Sequence, residues 1–563
     1  MKRIYFVLLS ALLMCACTDF LEEKPRTVLS PDMAYETEEG LGYGTNGLYD
    51  RLASVYFHDN DFGRIFGLWM APSDIHHSRQ GEDGYRFGKC DALDITSESG
   101  EVSYLWNYYY KIVTNAQLII TKSEELEWKD SKLENRVKGE AYFFHAYGHF
   151  YLTQFFGDIP IVDKIYDEIK INWERNPKSQ VMELVINDLL KAKDYLAWEP
   201  YENPMSLKIQ NGRITKGTAL HLLAYAYLCN QDWPNAEKYG KEAIESGHYQ
   251  LMKTRFGSQI AHADGNPFWD LFQLNNQDWT AGNTEGLLVI QNEPYELLPQ
   301  IVDGDVIDKT GLYERHVRFF YNVWYEGVSG IDSKSDVMLE YGGRGKAYIL
   351  ASPYWIDNLF TDAADVRGKF PCVQKVFKNP LLNDRLLCDW DALTEAEKVD
   401  SRKGIRYRPY PTKWSWDGES RAGSWFADAT TRDIYVFRLA ETYLIVAEAL
   451  HQRGNNSETD GAAWYINQVR ERAGATPITA SDVSIDYILD ERARELYGEI
   501  PRKLDLWRTG KFFERVQAYS PNPARLSMES PKHLTLPIPQ EIIDLNIEKF
   551  MPQNEGWGAT TAQ

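Results

Sequence analysis

The chain has 563 residues, 44% of them hydrophobic, and a formal net charge of -21. That length and apolar content support a sizeable core and exclude a disordered tether. The acidic balance repels phosphate backbones, so no nucleic-acid partner is expected.

In chain order, the first signal is a leader. Lys2 and Arg3 precede an apolar run from Ile4 to Ala16, too short to span a bilayer and flanked as a signal peptide is. Small Ala16 stands before Cys17, and the run CTDFLEEKP follows. Residues 1–16 read as a lipoprotein signal peptide, Cys17 as the lipidated first residue of the mature chain, and residues 17–30 as a polar tether. Cys15, behind Met14, is a poorer fit. Loss of residues 1–16 removes Lys2 and Arg3 and no acid, taking the charge from -21 to -23. Acyl chains on Cys17 would hold a soluble domain on a membrane, each buried methylene adding about 0.8 kcal/mol.

Helical patterns begin near Tyr35. The stretch Tyr104–Lys122 puts Leu105, Tyr108, Ile112 and Ile119 on one face. Lys132–Phe155 is a second helix, broken at the turn Gly157-Asp158-Ile159-Pro160. Over 216–246, small Ala219, Ala224 and Ala226 alternate with Leu and Tyr. A break at Asn230–Asp232 precedes Trp233, Ala236, Tyr239 and Ala243. Small residues let antiparallel helices approach closely, which is tetratricopeptide logic. A second such pair is predicted over 433–473, with Gly454 ending one helix and Ala462 starting the next. Trp106, Trp233, Trp464 and Trp507 fall on helical faces and read as structural.

The predicted fold class is mainly α, with tetratricopeptide-type helical repeats and a loop-rich second region. The helical-repeat region covers 31–256. In 257–563, the part 257–430 is rich in Gly, Asp, Asn, Trp and Tyr, and the part 431–563 is helical again. Loops of this kind on a helical frame carry function.

Catalytic signatures are missing from the sequence. There is no G-x-S-x-G, H-E-x-x-H or P-loop. Gly42–Gly47 matches G-x-G-x-x-G, but the polar run before it is no strand. His76 and His77 are adjacent and share no helix face, and Asp303, Asp305 and Asp308 have Ile307 where a calcium loop wants an acid. No catalytic residue, metal site or cofactor is therefore predicted. Cys229 reads as a buried thiol, while Cys372 and Cys388 could pair in an oxidising compartment, though their spacing does not require it.

Several segments in order resemble the SusD/RagB family of outer-membrane nutrient-binding lipoproteins. They are CTDFLEEKP, LWNYYYKIVTNAQLII, GEAYFFHAYGHFYLTQFFGDIPIV, RITKGTALHLLAYAYL with DWPNAEKYGKEAIESGHYQL, FRLAETYLIVAEAL with INQVRERAG, LDERARELYGE with RKLDLWRTGKF, and LPIPQEIIDLN with QNEGW. Each alone is weak; seven in order are strong. One departure is Ile500-Pro501 before Arg502, where the family usually has Gly.

The resemblance implies a glycan-binding protein without catalysis or cofactor, lipid-anchored in the outer membrane and exposed at the cell surface. Its implied partner is a SusC-like TonB-dependent transporter. An alternative is a peptide- or protein-binding RagB-like subunit of a similar importer. The resemblance also places the binding surface in two loop segments, 69–91 and 279–341. Stacking candidates there are Tyr85, Phe87, Trp279, Trp324, Tyr325 and Tyr341, with Trp69 opening the first segment. Asp74, His77 and Arg79 could bond hydroxyls.

Overall fold

The computed structural model describes residues 35–57, 66–78, 94–166, 168–200, 202–203, 208–209, 211–292, 316–331, 336–399, 403–415, 432–528 and 530–558. The leader with Cys17, the site candidates Arg79, Tyr85 and Phe87, and the acids Asp303, Asp305 and Asp308 lie outside the described residues.

The main helices are α1 (Glu38–Phe57), α2 (Gly100–Glu125), α3 (Ser131–Phe156), α4 (Lys178–Tyr195), α5 (Lys216–Cys229) and α6 (Trp233–Ile244). After a long excursion come α7 (Leu439–Gln452), α8 (Ala462–Arg472), α9 (Ile485–Glu495), α10 (Arg502–Arg508) and α11 (Phe512–Tyr519). The mainly α architecture with tetratricopeptide-type pairs is present as read from the sequence.

Local chemistry sets the helix ends. Asp130 accepts from the amides of Lys132 and Leu133 at the start of α3. Thr215 and Thr218 exchange side-chain and backbone hydrogen bonds at the start of α5. Gly454, at φ 79°, follows the end of α7, and α8 begins at Ala462, both at the expected places.

From α2 to α8, each main helix packs on the next in chain order, and α6 packs directly on α7. The loop-rich stretch is thus inserted between two helices that touch. A Cβ on Gly240 of α6 would stand 2.4 Å from a methyl of Val446 on α7. A Cβ on Gly148 of α3 would stand 2.5 Å from Val113 on α2. Glycine is what permits both approaches. One apolar cluster runs from Leu41 to Met551, through helices on both sides of the insertion.

Strands are short and paired in twos among the described residues. Those that matter here are β1 (His76–Ser78), β2 (Gly286–Ile290), β3 (Ile349–Ala351), β4 (Val376–Asn379), β5 (Arg385–Asp389) and β6 (Ile434–Arg438). β1 pairs with β3, β2 with β6, and β4 with β5, all antiparallel.

One expectation needs correction and one open alternative closes. Residues 434–438, taken as the start of a helix, form β6, because this β-branched and aromatic run is buried on both faces against β2. Cys372 and Cys388 are both free thiols; Cys372 lies against Asn266, whose amide nitrogen is 3.3 Å from its sulfur. Cys229 is half-buried at the end of α5, although burial still pushes its thiol up to about 12. Gly42–Gly47 lies inside α1 and offers no phosphate-binding turn. Pro501, at the family departure, is the N-cap of α10, a position that needs no amide proton.

The LDERARELYGE signature proves to be electrostatic. In α9 and the turn after it, Glu491 and Glu495 are fully buried among arginines. Glu495 meets Arg438 at 2.9 Å, Arg367 at 3.0 Å and also Arg472. Glu491 meets Arg367 and Arg494 at 2.8 Å and Arg470 at 3.2 Å. Burial pushes the Glu491 carboxyl up, but these arginines outweigh it and hold it down at about 2. The cluster ties α9 to β6, to α8 and to the excursion.

Candidate functional site

The pairing of β1 with β3 decides the geometry. It sets Ser78, within the first loop segment, opposite Ile349. The amide of Lys346 donates to the carbonyl of Arg318, and that of Ala347 to Tyr321, at 2.9 and 2.8 Å. The described parts of the two loop segments named from the sequence therefore share one frame, though five of the seven named side chains among them are spent inside it.

Asp74 is fully buried. Its carboxylate accepts from Arg502 at 2.9 and 2.7 Å and from Arg515 at 2.8 Å. Burial would raise its pKa, but the two guanidiniums hold it well below the usual carboxylate range. Asp74 is a latch on α10 and α11, not a free acceptor for hydroxyls.

His77 is buried too, with Nδ1 3.1 Å from its neighbour's carbonyl at Ser78. Burial, helped by the charge of Arg408, pushes it down to about 3, so the ring is neutral at pH 7. Trp69 packs against Tyr56 and Phe66 in the core.

Trp324 is 1% exposed and stands edge-on to Tyr341 at 4.6 Å. Tyr325 is 4% exposed and donates its hydroxyl to the carbonyl of Gly345 at 3.0 Å. Neither ring offers a face to a ligand, which corrects their assignment as stacking platforms. The cause is local: the ring-rich part of this segment, residues 319–325, joins the apolar core, while the turn at 326–330 stays at the surface.

Two candidates keep exposed area. Tyr341 is half-buried, and its hydroxyl accepts from the amide of Lys378 at 2.7 Å and donates to the carbonyl of Lys378 at 3.2 Å. It clamps the β4–β5 hairpin, whose Leu381, Leu382 and Leu386 project into solvent. Trp279, in a short turn Trp279–Ala281, is also half-buried but packs on Tyr249, 5.7 Å away. No ring contact joins it to Trp324 or Tyr341 among the described residues.

Beneath this face lie unspent donors. Nε1 of Trp324 and Nη1 of Arg408 are buried donors without a hydrogen-bond partner; Nε2 of His77 is buried and unpartnered too, but as an acceptor, since the ring proton sits on Nδ1 facing the Ser78 carbonyl. Asn322 links two of them, donating to the Arg408 carbonyl at 2.8 Å and accepting from the Trp324 amide at 3.1 Å. Such donors suit ligands or water rich in oxygen acceptors. Sequence reading missed Arg408 and the hairpin leucines. The signal for the leucines was available, since Pro380-Leu381-Leu382-Asn383-Asp384 is an apolar pair in a turn.

Comparison with known proteins places this geometry. A model described as the SusD family matches residues 395–557, and one described as starch-binding associating with the outer membrane matches residues 19–228. SusD-like protein P25 of Formosa agariphila is 24% identical, covering 94% of each chain. Among solved structures, a laminarin-binding SusD-like protein shares the fold with TM-score 0.67 at 19% identity, covering 93% of this chain and 100% of its own. The starch-binding protein SusD of Bacteroides thetaiotaomicron is 33% identical over 451 residues, 75% of this chain and 73% of its own. With that identity over that span, and a helical frame shared with solved relatives, the chain belongs to the SusD family.

Proposed function

We propose that this protein captures oligo- or polysaccharide at the cell surface, held in the outer membrane by lipid on Cys17. It delivers the glycan to a SusC-like TonB-dependent transporter and does no chemistry on it. The observation that carries the reading is the 33% identity to a protein named for binding starch. The laminarin-binding neighbour supports the same ligand class. Of the candidate rings among the described residues, Tyr341 and Trp279 are the ones left to stack on sugar; Arg79, Tyr85 and Phe87 stay candidates from the first loop segment. Titration calorimetry of the full chain with malto- and laminari-oligosaccharides tests it. Binding is expected with no new reducing ends after prolonged incubation. Steady product release, absent from a mock preparation, would refute the non-catalytic part. Affinity for peptides and for no glycan would favour a RagB-like peptide-binding subunit instead. Delivery is tested by recovery of a large β-barrel protein with the chain from mildly solubilised outer membranes; a chain that always runs alone would refute it.

A further inference from the structure

Away from the loop face, the 158–177 connection between α3 and α4 and the 545–555 tail build an open cleft of about 590 Å³. The two segments lie more than 370 positions apart, yet they are bolted together. Asn546 Oδ1 accepts from the Trp173 amide at 2.6 Å, and its Nδ2 donates to the Trp173 carbonyl at 3.0 Å. The Glu548 amide donates to the carbonyl of Ile171 at 3.1 Å. Arg175 donates to the carbonyl of Pro552 at 2.8 Å. The cleft is therefore held in shape before any ligand arrives, which lowers the ordering entropy of binding.

Its walls are Trp173 and Tyr166, with ring centres 5.1 Å apart at 70°. The Lys170 ammonium sits 4.1 Å from the Trp173 ring centre and 4.7 Å from that of Tyr166. Around the rings stand amides and charges of both signs, among them Asn172, Glu174 and Asn176. Protein-docking patches are depleted of charge at their centres, whereas charged and amide side chains make up most of this lining beside Trp173, Tyr166 and Ile161. Half-buried rings beside amides and charges combine apolar and hydrogen-bonding surface, as a neutral saccharide needs. Asn172 bonds Glu548, Glu174 pairs with Lys549 and Lys170 covers the rings, so a sugar would bind by exchanging for those contacts. Carboxylates and ammonium groups mixed in the lining argue against a strongly anionic ligand.

We propose that this cleft is a second saccharide-binding site, sharing no residue with the loop face, with Trp173 as its stacking anchor. The inference rests on glycan binding as the function of the chain. A polymer long enough to occupy both sites would be held by multivalency rather than by either site alone.

The test is hydroxyl-radical footprinting of the full chain with saturating maltoheptaose or laminariheptaose, together with affinity measurements on starch and laminarin. Oxidation of Trp173 and Tyr166 should fall when oligosaccharide is present. Trp173→Ala should weaken binding at the cleft by about 30-fold, as loss of an anchor at a binding hot spot does. Trp173→Tyr, which keeps a ring, should retain most of it. Protection of loop-face residues with no change at Trp173 overturns the second site and leaves the main function standing. Protection of neither surface, with no polysaccharide binding at all, overturns both. Protection of Trp173 only in intact outer membranes and not by oligosaccharide assigns the cleft to a protein partner, and the proposal fails.

Discussion

Trp324 and Asp74 carry a lesson about single residues. Each belongs to a type that binds sugar when exposed, and each is buried here. The partners that take up Asp74 lie 428 and 441 positions away, so no local pattern could reveal them. We predict that Trp324→Ala lowers stability by about 3–5 kcal/mol, as loss of a large core ring does. Chemical denaturation checks this, and an unchanged midpoint would contradict the burial of that ring. The buried carboxylates predict a pH dependence. Arginines hold Glu491 at about 2, below its ordinary 4.5, with Asp74 and Glu495 lowered as well. A depressed folded-state pKa adds stability that is complete above the unfolded value and lost as pH falls through the folded one. The urea midpoint should therefore hold steady from neutral pH down to about 5 and then drop steadily towards pH 2. A midpoint that rises across that acid range would contradict the ion-pair cluster.

Elements were far more legible than sites. The periods over 104–122 and 132–155 mark α2 and α3 to within a few residues, because an apolar stripe at helical spacing is a local property. The small residues of 216–246 foretold close helix packing, and Gly240 against Val446 is an instance of it. Gly240→Val should destabilise the fold by about 1–3 kcal/mol through overpacking at the α6–α7 contact. Thermal unfolding reads this directly, and a variant as stable as the parent would mean that α6 and α7 stand further apart. β6 was misread because IYVFR joins a helix without a break, and only its pairing with β2 shows where the strand stops. In the excursion, the balance between buried and exposed rings depends on how loops fold over one another. Composition shows that Trp and Tyr are abundant there but not which of them face outward.

On the scale of the whole molecule, a helical frame holds a loop-bearing excursion whose ends are pinned by the α6–α7 contact and by the α9 ion pairs. Among the described residues, no helix is long and apolar enough to cross a membrane. If lipid on Cys17 is the anchor, Cys17→Ala should leave the protein in the soluble fraction with glycan affinity unchanged. Retention of that variant in the membrane fraction would place the anchor elsewhere. Family membership explains why the frame was recognisable and the ligand was not, since the signature segments are read through the helices and ion pairs they build, and a fold does not name its ligand. Affinity electrophoresis of the full chain in gels containing starch or laminarin tests the central claim most directly. Clear retardation relative to a polysaccharide-free gel, in at least one of the two, is the predicted result; migration identical in all three gels would contradict it.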